Sequence, residues 1–210
     1  MTPPTPYIVG ICGGSASGKS YLLQRLLEQL PEESVTLISL DNYYKPLEEQ
    51  VRDEAGLVNF DHPDSLYLDR LTADVKRIMA GETVIQKEYT FNNPFTHAKD
   101  IVLKPAPLII LEGLFVFHPQ ALQPLLHLKV FVEAHEHIKL ARRLRRDNAE
   151  RGYTIESILT DYAKYVAPMY HQFVAPTKET CDLIVPNHDH MEGALTVLKH
   201  HLLAVLRGDS

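Results

Sequence analysis

The chain is short of cysteine, of positive charge and of long apolar runs, and each shortage narrows what it can be. Only Cys12 and Cys181 occur in 210 residues, each in an apolar, strand-like run. No disulfide framework can therefore carry the fold. The two could pair, but buried free thiols in a reducing cytoplasm suit them better. Basic residues number 21 against 27 acidic ones, a formal charge of −6, which argues against binding nucleic acid through the overall field. Any anionic ligand must be held by a local arrangement of donors. The longest apolar run, residues 107–117, is broken by Glu112 and is far too short to cross a bilayer. Residues 1–6 lack the basic stretch and apolar core of a secretory signal and read as a loose, proline-rich tail. A soluble, cytoplasmic protein with neither nucleic-acid nor membrane partners is expected.

What the chain does contain is alternation. Residues 7–12, 35–40, 108–111, 130–132 and 183–185 are short apolar runs bounded by turn residues, the pattern of parallel strands covered on both faces. Between them, residues 19–30, 65–80, 136–151, 155–173 and 191–206 carry helical periodicity. The expectation is an α/β fold with a parallel central sheet and helices on both faces. Residues 42–63 and 89–107 fit neither template, and long irregular stretches inside a compact domain usually serve function. At this length one domain is expected over 1–210. Its parts would be a first strand, helix and second strand (7–40), an acceptor-binding region (41–107), a carboxylate-ending strand and its successor (108–134), a helical lid with its flanking helix (135–173), and a final strand and helix (174–210).

The strongest motif is Gly13, Gly14, Ser15, Ala16, Ser17, Gly18, Lys19 and Ser20, a full match to G-x-x-x-x-G-K-[ST]. Glycines let successive backbone N–H groups turn inward onto phosphate oxygens, and the helix opening at Lys19 adds the positive end of its dipole. In such a P-loop Lys19 reaches the β and γ phosphates of a nucleoside triphosphate, and the Ser20 hydroxyl is a magnesium ligand. An acid at the end of a neighbouring strand is then needed, and Glu112 stands there. Asp41 follows the second strand, so it too should lie beyond the carboxyl ends of the sheet, able to ligate magnesium and to accept a proton from an attacking hydroxyl. Lys139, Arg142, Arg143 and Arg146 share one helix face, and residues 135–151 carry six bases against three acids. Arginines placed so could neutralise a transferring phosphoryl group, with Lys19 and Arg146 acting alongside Asp41 in catalysis.

With these pieces assembled the chain resembles the uridine kinase family of P-loop kinases. The resemblance rests on Asp41-Asn42-Tyr43-Tyr44, Asn59-Phe60-Asp61-His62-Pro63-Asp64, Leu111-Glu112-Gly113, Arg142-Arg143-Leu144-Arg145-Arg146-Asp147, Glu150-Arg151-Gly152 and Pro176-Thr177-Lys178. It implies ATP or GTP as donor with Mg2+, Asp41 as base toward a ribose 5′-hydroxyl, and Ser20, Asp41 and Glu112 around the metal. It also implies Phe60, Asp61 and Arg143 at the nucleoside, Arg146 and Arg151 at the phosphates, and Tyr89 and His97 at the pyrimidine edge. A homo-oligomer, often a tetramer in the family, is a further implication. Three departures fall on the acceptor side. Tyr89 and His97 stand three positions further apart than in the family pattern, with Lys99 replacing its arginine; Tyr153 replaces an arginine; and Asp161 replaces a nucleoside-binding glutamine. Phosphoryl transfer to a phosphoribulose-like sugar, pantothenate or glycerate is the alternative reading. A guanine-nucleotide switch is disfavoured, because Asp53-Glu54-Ala55-Gly56 matches D-x-x-G in a polar loop and no Asn-Lys-x-Asp accompanies it.

Overall fold

The computed structural model describes residues 5–90 and 97–209. Five strands form one wholly parallel sheet: β1 (Tyr7–Cys12), β2 (Val35–Ser39), β5 (Leu108–Glu112), β6 (Leu128–Glu133) and β7 (Leu183–Pro186), in the order β2-β5-β1-β6-β7. Side chains alternate across the sheet, as strand geometry demands. Ile8, Ile109, Leu111, Ile38 and Phe131 pack toward one face with Leu71, Val75 and Ile78 of α2 (Leu68–Met79). Val9, Ile11, Ile110, Val130 and Val132 pack toward the other, against Leu22 and Leu26 of α1 (Lys19–Leu27) and Leu195, Leu198 and Leu202 of α6 (Glu192–Arg207). Burial on both faces is why these strands read as continuous apolar runs. The expected helices on both faces are present.

Three elements differ from the sequence expectation. Two antiparallel strands pair, β3 (Val84–Lys87), where no element is expected, with β4 (Asp100–Leu103), inside the stretch 89–107 expected to be irregular. Only one face of the pair is covered, so Val84 and Leu103 are buried while Ile85 and Val102 face outward, and neither strand shows a continuous apolar run. The helix expected over 65–80 begins later, because Pro63–Ser65 forms a 3-10 turn before α2 starts. The single helix expected over 155–173 is broken up: α4 (Ile155–Asp161) is followed by wide i→i+5 turns at Tyr162–Val166 and Tyr170–Val174, flanking the single turn α5 (Ala167–Met169). Pro168 sits inside this stretch with no N–H to donate, and its ring crowds the carbonyl one turn back. Between β6 and α4 lies α3 (Glu136–Arg151), closed at its C-terminus by Gly152 at φ 72°.

Cys12 and Cys181 are both free thiols. Cys12 is buried at the end of β1, where burial pushes its thiol up to about 12. Cys181 is half-buried and precedes β7 instead of lying in a strand. No helix among the described residues is long and apolar enough to cross a membrane.

Candidate active site

The parallel strands end side by side, and their carboxyl ends deliver the site residues. Register places Glu112 of β5 between Ile11 of β1 and Ser39 of β2. Asp41 lies two residues beyond β2, in the 3-10 turn Leu40–Tyr43, and the phosphate-loop motif follows β1. Within the loop, Ala16 takes φ 61° and Gly18 φ 100°, left-handed conformations of the kind from which anion-binding backbone nests are built. Lys19 is buried, and its Nζ donates to the carbonyls of Gly13 (2.9 Å) and Gly14 (3.1 Å). Ser17 Oγ is buried with no hydrogen-bond partner, an orphan polar atom in a loop shaped for anions. Ser20 is exposed on the first turn of α1.

A residue outside the motif holds the loop in shape. Asn187, directly after β7, donates its Nδ2 to Ser17 O at 2.7 Å, while its own N–H bonds Glu133 O at 2.6 Å. A Cβ on Gly18 would collide with that amide, so glycine is required there for close approach as well as for conformation. The sequence signal for Asn187 is its place at the carboxyl end of the last strand, where α/β sheets collect ligand-binding residues.

Asp41 is open to water yet lies deep in the cleft, and desolvation raises its carboxyl above the usual range, opposed by Lys19, Arg151 and Arg146. Glu112 is raised for the same first reason and further by the negative charge of Asp41, against Lys19 and a hydrogen bond with Ser39. Two desolvated carboxylates that repel one another form a hard, oxygen-rich pair that a divalent cation would relieve. Among the described residues, no group of three or more His, Cys, Asp or Glu could hold a metal. Two carboxylates alone would need further oxygen donors, such as a hydroxyl and phosphate oxygens, to make a set that suits Mg2+.

Across the cleft, Asp61 is desolvated and raised, with Arg143 opposing the shift and Asp161 adding to it. Tyr44 lies between the two regions. Desolvation and the carboxylates of Asp41 and Asp61 push its phenol well above its usual value, so it stays protonated. Its ring meets Phe60 edge-on at 6.1 Å and Tyr89 at 5.3 Å, and the backbone N–H of Tyr89 bonds Asn42 Oδ1 at 3.1 Å. Asp41, Phe60, Asp61, Tyr89, Arg143 and Asp161 are therefore brought to one cleft. His97 is exposed near the foot of β4, and residues 91–96, which carry the lengthened spacing from Tyr89, lie outside the described residues. Tyr153 is exposed.

The basic face of α3 divides its labour. Lys139 is buried, with Nζ 3.4 Å from the centroid of the Tyr170 ring, and desolvation lowers its pKa. Arg142 donates to Asn187 O at 3.1 Å. Arg143 reaches the phosphate loop, donating to Ser15 Oγ at 3.1 Å. Arg143, Arg146 and Arg151 all approach the carboxylate of Asp147. The helix expected as a lid thus lies against the loop in this structure. The D-x-x-G segment has a local use: Asp53 accepts from the Tyr165 hydroxyl at 2.7 Å and pairs with Lys164 at 2.6 Å, tying the acceptor-side loop to the turn after α4.

Known proteins agree with this architecture. The chain is 36% identical over 205 residues to a uridine kinase of Leuconostoc citreum, covering 96% of this chain and 97% of the other. It is 35% identical over 206 residues to a uridine kinase of Chloroflexus aggregans, covering 96% and 97% respectively. Among solved structures, D-glycerate 3-kinase from Cryptococcus neoformans superposes with a TM-score of 0.56 at 16% identity, over 87% of this chain and 86% of the other, which speaks to fold alone. The family model described as phosphoribulokinase/uridine kinase matches residues 8–192. A phosphate loop closed by Asn187, two strand-end carboxylates and an arginine-bearing helix thus sit on a sequence that belongs to the phosphoribulokinase/uridine kinase family.

Proposed function

We propose that the protein transfers the γ-phosphoryl group of ATP to the 5′-hydroxyl of uridine or cytidine, giving the nucleoside monophosphate and ADP. The observation that carries this reading is the near full-length similarity to uridine kinases. The cleft supports it. Asp41, raised by desolvation but flanked by cations, would accept the proton of the attacking hydroxyl as its oxygen bonds to phosphorus. Lys19 and the backbone N–H groups of residues 13–20 would hold the β and γ phosphates. Lys19 would exchange the carbonyls of Gly13 and Gly14 for phosphate oxygens. Arg146 and Arg151 would offset charge that spreads over the transferring group and the departing ADP. Asp61 and Arg143 would hold the ribose hydroxyls, while Phe60, Tyr89, His97 and Asp161 would surround the acceptor. Ser20, Asp41 and Glu112 would hold Mg2+, which supplies neutralisation of the phosphates.

Two features bear on which acceptor fits: the longer Tyr89–His97 spacing and the carboxylate of Asp161, close enough to Asp61 to raise its pKa. The test is ADP release from MgATP by the purified chain, with and without uridine, and identification of the product. Uridine-dependent release with uridine monophosphate as product is expected. Release driven instead by a sugar phosphate, pantothenate or glycerate, with none from uridine or cytidine, would overturn the acceptor while keeping the chemistry.

A further inference from the structure

Three arginines of the cleft converge on one acid that the proposed reaction leaves without a role. Asp147, on the last turn but one of α3, is 2% exposed. Its Oδ1 accepts from Arg146 Nε at 2.8 Å and pairs with Arg151 Nη1 at 3.3 Å, while its Oδ2 lies 3.2 Å from Arg143 Nε. That third contact is off the line of a hydrogen bond, since Arg143 Nε has no hydrogen-bond partner, so it acts as an ion pair. The backbone of Asp147 adds to the arrangement. Its carbonyl accepts the N–H of Gly152, which closes the helix, and that of Tyr153 at 3.2 Å. The end of the helix that carries Arg151 is therefore tied to the same residue.

One buried acid needs one base to balance it. Three bases leave the cluster positive, and together they reach both halves of the cleft. Arg143 extends to Ser15 of the phosphate loop and acts on Asp61, Arg151 acts on Asp41, and Arg146 acts on both acids. Free arginine side chains sample many rotamers, and fixing them during the reaction would raise its barrier.

We propose that Asp147 is a positioning residue, which fixes Arg143, Arg146 and Arg151 in their working directions before the substrates bind. This rests on the kinase reading above. Asp147 is buried, and its carboxylate oxygens face the three guanidinium groups. Its carboxylate sets where the donors point while the phosphate loop retains the ground-state grip on the nucleotide. Losing it should therefore lower turnover much more than nucleotide affinity.

The test is Asp147→Asn in the full chain, which preserves volume but cannot hold three cations. We expect kcat with uridine to fall about 100-fold, the scale of a small misplacement of reacting groups. KM for MgATP should stay within about threefold, and Asp147→Glu should fall between the two. Unchanged kcat in a folded Asp147→Asn protein, or an equal loss in kcat and nucleotide affinity, would overturn the proposal. Should Asp147→Asn fail to fold, Asp147→Glu decides: reduced kcat at unchanged KM supports positioning, and wild-type kcat overturns it. If the wild type itself ignores uridine, the acceptor reading fails separately. Trapping of MgADP with fluoroaluminate, which imitates the transferring group, then tests Asp147 without an acceptor. Weaker trapping in the variant at equal MgADP affinity supports the proposal, and equal trapping overturns it.

Discussion

The donor half and the acceptor half of the cleft are built by different means. On the donor side the phosphate loop is a backbone structure. Its shape comes from left-handed residues at 16 and 18, buried strand ends and the Asn187 clamp. On the acceptor side, Asp61, Tyr44, Tyr89 and Asp161 come from loops and a helix end, and side-chain contacts such as Tyr44–Tyr89 bring them together. A backbone-built site leaves few positions free to change, because one added methyl group collides with its neighbours. A side chain-built site can be re-lined one residue at a time.

The comparison can be broken most sharply at Asp41, where the halves meet. Asp41→Asn should lower kcat about 1,000-fold, within the range of general-base catalysis, with MgATP affinity largely kept. Titration calorimetry beside steady-state assays would separate the two; near-normal kcat would remove Asp41 as the base. The wild-type profile carries a matching sign. A raised carboxyl pKa means the working, ionised form is lost as pH falls through that value. The acid limb of kcat/KM should therefore lie above the ordinary aspartate value of about 4. Linkage runs the other way for stability. A folded pKa above the unfolded one contributes stability at pH below the unfolded value, lost as pH rises through the folded one. Near neutrality ionised Asp41 therefore opposes folding, and thermal melting of Asp41→Asn at pH 7 should occur no lower than that of the wild type.

A smaller effect should separate the halves at the clamp. Asn187→Ala removes the bond to Ser17 O and should raise KM for MgATP about tenfold, the scale of one hydrogen bond to a buried loop, with KM for the acceptor little changed. An equal rise in both constants would show that the halves are not independent. The smallest effect belongs to the acceptor side. Asp161→Gln removes a negative charge close to Asp61 and restores amide donors, so KM for uridine or cytidine should fall about threefold. No change in either would remove Asp161 from acceptor recognition.

Local pattern was readable where burial is two-sided or periodic. The first strand over residues 7–12 and the arginine helix over 136–151 occur with the bounds that the sequence predicts. The β3–β4 pair escaped because two of its five apolar residues face outward: Ile85 is 64% and Val102 50% exposed. The broken course of residues 155–173 could have been anticipated from Pro168, which cannot serve a continuous helical ladder. Lys139 misled for another reason. It shares a helix face with Arg143, yet it is buried beneath the Tyr170 ring, and helical spacing carries no information about which distant residue covers a face.

The sequence by itself determined the phosphate loop, the parallel strands that present it and the two acids that follow neighbouring strands, because each depends on residues adjacent in the chain or on a short repeat. Tertiary structure alone decided that Arg143 meets Ser15, that Asn187 closes the loop at Ser17, and that three arginines share Asp147. The first two contacts join residues far apart in the chain. The third was half legible, since Arg143 and Arg151 stand four residues to either side of Asp147 on one helix, but which way those long side chains turn was decided only once the helix was packed.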